Sequence, residues 1–107
     1  GSTVTVDVVM KEGRVADFGQ DVKACALGQS AASVLGSVVI GRSPEELEKA
    51  QAELRAMLKE GGPIPAAPFD GFEVLEPARE YKNRHASILL ALEATAEAAR
   101  EALAVSA

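Results

Sequence analysis

The sequence predicts an α+β fold: a three-stranded antiparallel meander followed by helices packed on one of its faces. Three observations carry that expectation. Residues 3 to 10 alternate between apolar and polar at period two, and the first connections are too short for anything but antiparallel pairing. A Ser/Ala/Gly/aliphatic stretch without a single charge follows from about Gly28 to Ile40. Beyond it, residues 43 to 60 and 82 to 105 carry apolar side chains at helical steps of three and four.

Taken in order, Val4, Val6, Val8 and Met10 line one side of the first strand, and Thr3, Thr5 and Asp7 the other. Lys11-Glu12-Gly13 reads as a turn whose glycine can take positive φ, and Arg14 to Phe18 as a second short strand. Gly19-Gln20 reads as another turn, and Asp21 to Ala24 as the third strand. The uncharged helix that follows is expected to be surrounded by other elements, with its small residues admitting a neighbouring backbone, and to end at Gly41. Ser43-Pro44-Glu45-Glu46 then carries an N-cap serine, a proline at the first helical position and a glutamate placed to close a capping box. The stripe of that helix is Leu47, Ala50, Leu54, Met57 and Leu58, and Gly61-Gly62 stops it.

Residues 61 to 72, with three prolines and three glycines, read as a surface connection from which Phe69 and Phe72 reach the core. Glu73 to Tyr81 reads as a short helix or turn broken at Pro77. The last helix begins at Lys82 or Asn83 and runs to Val105, with His85, Ile88, Leu89, Leu92, Ala96, Ala99 and Leu103 on one stripe.

At 107 residues the chain accommodates one core, so residues 1–107 are expected to form one domain. Apolar residues make up 48% and charged residues 25%, which excludes a disordered composition. With no tryptophan, one tyrosine and three phenylalanines, the core must be aliphatic and alanine-rich, and stacking platforms for single-stranded nucleic acid are lacking. A net charge of -5, with eleven basic residues scattered among sixteen acidic ones, argues against nucleic acid and anionic membranes as partners. One cysteine forms no internal disulfide. With neither a charged-then-apolar leader nor an apolar run of about eighteen residues, the chain is expected to be soluble and cytoplasmic. The start at Gly1-Ser2 is abrupt, as though further residues precede it.

The chemistry-bearing candidates are Cys25, the only cysteine, and His85, the only histidine. Cys25 falls where strand patterning stops and a helix begins, so unpaired N–H groups and the helix dipole favour its thiolate. That is the place for a metal ligand or a nucleophile; equally, a free cysteine packs as a small hydrophobe. His85 heads the last helix, and two helix N-termini in a sheet-plus-helices fold can converge at one end of the molecule. Glu45, Glu46, Glu48 and Glu53 share their helix with Lys49 and Arg55 and form its solvated face. Ser30 and Ser33 lack a neighbouring histidine to act as base.

The run Lys23-Ala24-Cys25-Ala26-Leu27-Gly28-Gln29-Ser30-Ala31-Ala32-Ser33 resembles the U-type iron-sulfur cluster assembly scaffolds, the IscU and NifU N-terminal family, in which a cysteine precedes a Ser/Ala-rich helix start. The resemblance extends over nearly the whole chain and implies an IscU/SufE-like fold. It also implies a protein that is not an enzyme, receives sulfur from a cysteine desulfurase, passes clusters to apo-proteins, and holds a [2Fe-2S] cluster or zinc on three cysteines with an aspartate and, in one branch, a histidine. Cys25 matches the second of those cysteines. The first falls immediately before Gly1, which puts Ser2 where the aspartate would be. The third lies near Arg84-His85-Ala86-Ser87, where His85 either matches the family histidine with Ala86 replacing the cysteine, or itself replaces the cysteine. The implied ligands are therefore Cys25 and His85, fewer than a cluster usually takes. Two other readings stand beside this one. The first is a non-metal-binding interaction module of the same fold, using an apolar surface near Phe69 and Phe72. The second is a persulfide acceptor built on Cys25, assisted by His85.

Overall fold

The computed structural model describes residues 1–106. Two strands, β1 (Thr3–Lys11) and β2 (Arg14–Lys23), form an antiparallel ribbon, followed by the helices α1 (Ala26–Val38), α2 (Pro44–Glu60) and α3 (His85–Ser106). A run of 3-10 turns over Phe69–Glu80 and a single 3-10 turn at Lys82–Arg84 connect α2 to α3. The α+β class holds, with α3 packed against β1 and both α1 and α2 packed against α3.

The expected meander of three strands is corrected to two. Gly19 and Gln20 do not turn: they pair with Asp7 and Val6 inside one uninterrupted ladder from Thr3↔Lys23 to Val9↔Asp17. The physical reason lies in the alternation, which carries straight through Phe18, Gln20 and Val22 on the inner row. Gln20 is tolerated there because its Nε2 donates to the Ala32 carbonyl of α1 at 2.9 Å. The reversal at Glu12-Gly13 is as expected, with φ of 55° and 78°, the pair of left-handed residues a two-residue hairpin turn demands. A bulge between Val9 and Met10 shifts the register, so that Met10 faces Val15. Val15 is buried there.

α2 begins and ends as its sequence dictates. The Ser43 hydroxyl accepts from the Glu46 N–H, the Glu46 carboxylate accepts from the Ser43 N–H, and Gly61 closes the helix in the left-handed region at φ 67°. Its stripe of Leu47, Ala50, Leu54, Met57 and Leu58 is wholly buried. These side chains meet Leu35 of α1, Phe69, Phe72 and Leu75 of the 3-10 segment, and Ile88, Leu89 and Leu92 of α3 in one core. α1 is less enclosed than its lack of charge suggests. Gly28, Ala31, Ala32 and Leu35 are buried, but Ala26, Ser33, Gly36 and Ser37 face solvent. No helix among the described residues is long and apolar enough to cross a membrane.

Phe69 and Phe72 stack with ring centroids 6.3 Å apart inside the core. Both rings are buried, so the apolar surface expected near them is made by neighbours such as Val74, which is 63% exposed.

Candidate functional site

Cys25 is the N-cap residue of α1, extended at φ -65° and ψ 172°, and its carbonyl accepts the first helical bond from the Gln29 N–H at 2.9 Å. The chain takes this path because the β2 ladder ends at Lys23 and the small side chain of Ala24 allows a sharp entry into a helix of small residues. The sulfur makes no capping hydrogen bond of conventional geometry. It nonetheless faces the Gly28 N–H, whose field is the largest influence on it. With the Ser87 hydroxyl, the Leu27 N–H and the Arg84 guanidinium, that field outweighs burial and lowers the Cys25 thiol from near 9 to about 7.

The residues around the sulfur come from three parts of the chain. Ser87, in the first turn of α3, places its Oγ 3.6 Å from Cys25 Sγ. Ser2, immediately before β1, places its Oγ 2.6 Å from Ser87 Oγ. Gly28 makes this convergence possible: a Cβ there would lie 2.6 Å from Ser87 Oγ, 2.7 Å from Ala24 Cβ and 3.2 Å from the Ser87 carbonyl oxygen. Cys25 opens into a hollow of about 570 Å³ lined also by Gly1, Ser2, Val22, Lys23, Ala24, Gln29 and Arg84. Both charged side chains on that lining are basic.

The structure does not bring His85 to Cys25. His85 is 2% exposed, and its Nε2 lies 3.1 Å from the Ala78 carbonyl oxygen and 3.0 Å from that of Arg79. Carbonyl oxygens only accept, so Nε2 carries a proton shared between them and is not free to bind a metal. His85 secures the end of the 3-10 segment against α3. The residue that faces the sulfur is Ser87, two positions on.

Among the described residues, the donor set at Cys25 is smaller than a resident [2Fe-2S] cluster or a closed zinc site takes. Clusters take mostly thiolates and structural zinc takes four thiolate, imidazole or carboxylate ligands, whereas Cys25, Ser2 and Ser87 supply one thiolate and two neutral hydroxyls. Among the described residues, no group of three or more His, Cys, Asp or Glu side chains is placed to hold a metal ion.

What the site offers is a nucleophile. A thiol ionising near neutral pH beside open space attacks well, because the best attacking thiol has a pKa near ambient pH. Alkylation of Cys25 by a neutral reagent should therefore rise with pH through a midpoint of about 7. A midpoint near the ordinary thiol value of about 8.5 would contradict this. The folded thiol ionises below the unfolded one. Its contribution to stability is thus complete above the unfolded range near 9 and lost as pH falls through about 7.

Several solved structures are similar to this one, among them the following three. A nitrogen-fixing NifU-like protein (N-terminal) from Brucella abortus is 47% identical with a TM-score of 0.92, over 97% of this chain and 72% of that one. A hypothetical protein is 24% identical with a TM-score of 0.83, over 94% of this chain and 74% of that one. A protein from the thermophile Fervidobacterium islandicum AW-1, described as an iron-sulfur cluster assembly scaffold for the SUF system, is 21% identical with a TM-score of 0.72, over 90% and 69% of the two chains. The last two likenesses are of fold alone. No family profile matches the chain. No curated protein matches it either.

Proposed function

The chain belongs to the NifU-like N-terminal family of U-type scaffolds, and from that membership we propose that it serves iron-sulfur cluster assembly through a single thiolate, Cys25. In this reading Cys25 takes sulfane sulfur from a cysteine desulfurase and presents it for clusters destined for apo-proteins. The observation that carries it is a thiol lowered to about 7 at a helix N-terminus, beside an open hollow. Of the sequence-based alternatives this is the persulfide acceptor, with one change: the group assisting Cys25 is Ser87 rather than His85.

The step balances without an external oxidant. The Cys25 thiolate attacks the outer sulfur of the donor's persulfide, R–S–SH. A bond forms between Cys25 Sγ and that sulfur, the donor S–S bond breaks, and the donor leaves as the thiolate R–S⁻. The proton stays on the transferred sulfur, giving Cys25–S–SH. No metal enters the step.

Incubation with a cysteine desulfurase and cysteine, followed by intact-mass analysis, tests the reading. The expected result is the addition of one sulfur atom to the wild-type chain and none to Cys25→Ala. An unmodified wild-type chain, with a desulfurase that persulfidates a control thiol, would overturn it. So would a stable charge-transfer spectrum after anaerobic titration with iron and sulfide, which would return the chain to cluster holding.

A further inference from the structure

The Ser2, Ser87 and Cys25 side chains form a chain of hydrogen-bonding groups whose direction follows from chemistry. A thiolate only accepts, so when Cys25 is ionised the Ser87 O–H, 3.6 Å away, donates to it. A hydroxyl has one proton, which leaves Ser87 Oγ as the acceptor toward Ser2 at 2.6 Å, and the Ser2 O–H as donor. Among the described residues neither hydroxyl makes any other hydrogen bond. We propose that Ser87, polarised by Ser2, is the positioning residue of the sulfur-transfer step, holding the Cys25 sulfur at the mouth of its hollow as the attacking anion. The proposal rests on the sulfur-acceptor reading and adds the group that holds the nucleophile.

Three features of the packing support a dedicated role. The contact joins residues 62 positions apart, so it forms only when the N-termini of α1 and α3 meet. The missing side chain at Gly28 keeps that approach open, since any Cβ there would fall on Ser87 Oγ. The charged side chains lining the hollow are Arg84, from the turn before α3, and Lys23, from the end of β2, and among the described residues no carboxylate lines it. During transfer the negative charge leaves Sγ for the donor's departing sulfur. The Ser87 hydroxyl is then released from the anion and remains bonded to Ser2.

The test compares wild type with Ser87→Ala, Ser87→Thr and Ser2→Ala, each confirmed folded by circular dichroism. Sulfur uptake from a cysteine desulfurase at neutral pH is expected to slow about tenfold in Ser87→Ala, the scale of a lost hydrogen bond to a charged group. It should slow less in Ser2→Ala and return to near the wild-type rate in Ser87→Thr. Alkylation by iodoacetamide supplies the second readout. Ser87→Ala should react several-fold more slowly than wild type at neutral pH, and as fast or faster in strong alkali, where every thiol is ionised and an unbonded thiolate is the better nucleophile. Wild-type rates of alkylation in Ser87→Ala at neutral pH would overturn the proposal, as would an equal loss at both pH values, which marks a structural role. Failure of the wild-type chain to take up sulfur would sink the acceptor reading instead, and the alkylation comparison would still decide the role of Ser87.

Discussion

His85→Ala is expected to destabilise the fold by about 3 kcal/mol, the scale of a large buried side chain replaced by alanine together with buried carbonyls left without a donor. The substitution removes a side chain that is 2% exposed and strips the Ala78 and Arg79 carbonyl oxygens of their shared N–H. For a domain of this size that corresponds to a fall of roughly 15 °C in Tm, read by circular dichroism or calorimetry. His85→Gln keeps an N–H donor on a flexible stem and should recover part of the loss. In both variants, at temperatures where they are folded, Cys25 should alkylate at the wild-type rate, because none of the groups that lower its thiol is His85. A His85→Ala chain of wild-type stability with an altered Cys25 would reverse the assignment and restore the histidine to the site.

That contrast shows where the sequence was legible. Local rules settled α2 completely: the serine cap, the proline, the reciprocal glutamate and the left-handed Gly61 are all short-range chemistry, and the structure reproduces them. The hairpin turn at Glu12-Gly13 was legible for the same reason. The third strand was not, because Gly19-Gln20 has the composition of a turn. What keeps it in the ladder is a side-chain bond from Gln20 to Ala32, twelve residues away on another element. Composition cannot report such a bond.

The sequence points to the segment that meets Cys25 but not to the residue that touches it. The segment Arg84-His85-Ala86-Ser87 does meet Cys25, but through Ser87. The helical stripe carries the information needed to tell the two apart. His85 shares its face with Ile88, Leu89 and Leu92, all buried, which directs the imidazole into the core. Ser87 lies about 200° around the helix from His85 at 100° per residue, off that face. A lone histidine is a ligand type, but its place on an apolar stripe is the stronger signal. The family resemblance puts Ser2 at the aspartate position; its bond to Ser87 follows only from the tertiary arrangement.

Gly28→Ala tests that arrangement directly, since two opposing effects can be ranked. Replacing a helical glycine with alanine ordinarily stabilises by about 0.5 to 1 kcal/mol, through the lower entropy of the unfolded chain. Here the new Cβ would stand 2.6 Å from Ser87 Oγ, 2.7 Å from Ala24 Cβ and 3.2 Å from the Ser87 carbonyl oxygen. The hydroxyl can rotate away, but the Ala24 methyl cannot and the α3 backbone must give by a few tenths of an ångström, so the entry into α1 shifts and the N-termini of α1 and α3 move apart slightly. Overpacking of this kind costs about 1 to 3 kcal/mol, which exceeds the propensity gain and leaves a net loss. Parting the helices also withdraws Ser87 from the sulfur, so the midpoint of Cys25 alkylation should rise from about 7 toward the ordinary thiol range. Ser87→Ala in the Gly28→Ala background relieves only the first of the three contacts. The pair should therefore be coupled, with the double variant more stable than the sum of the singles predicts. A Gly28→Ala chain that is more stable than wild type and keeps its alkylation midpoint would mean that the two helix N-termini do not meet as closely as these distances require.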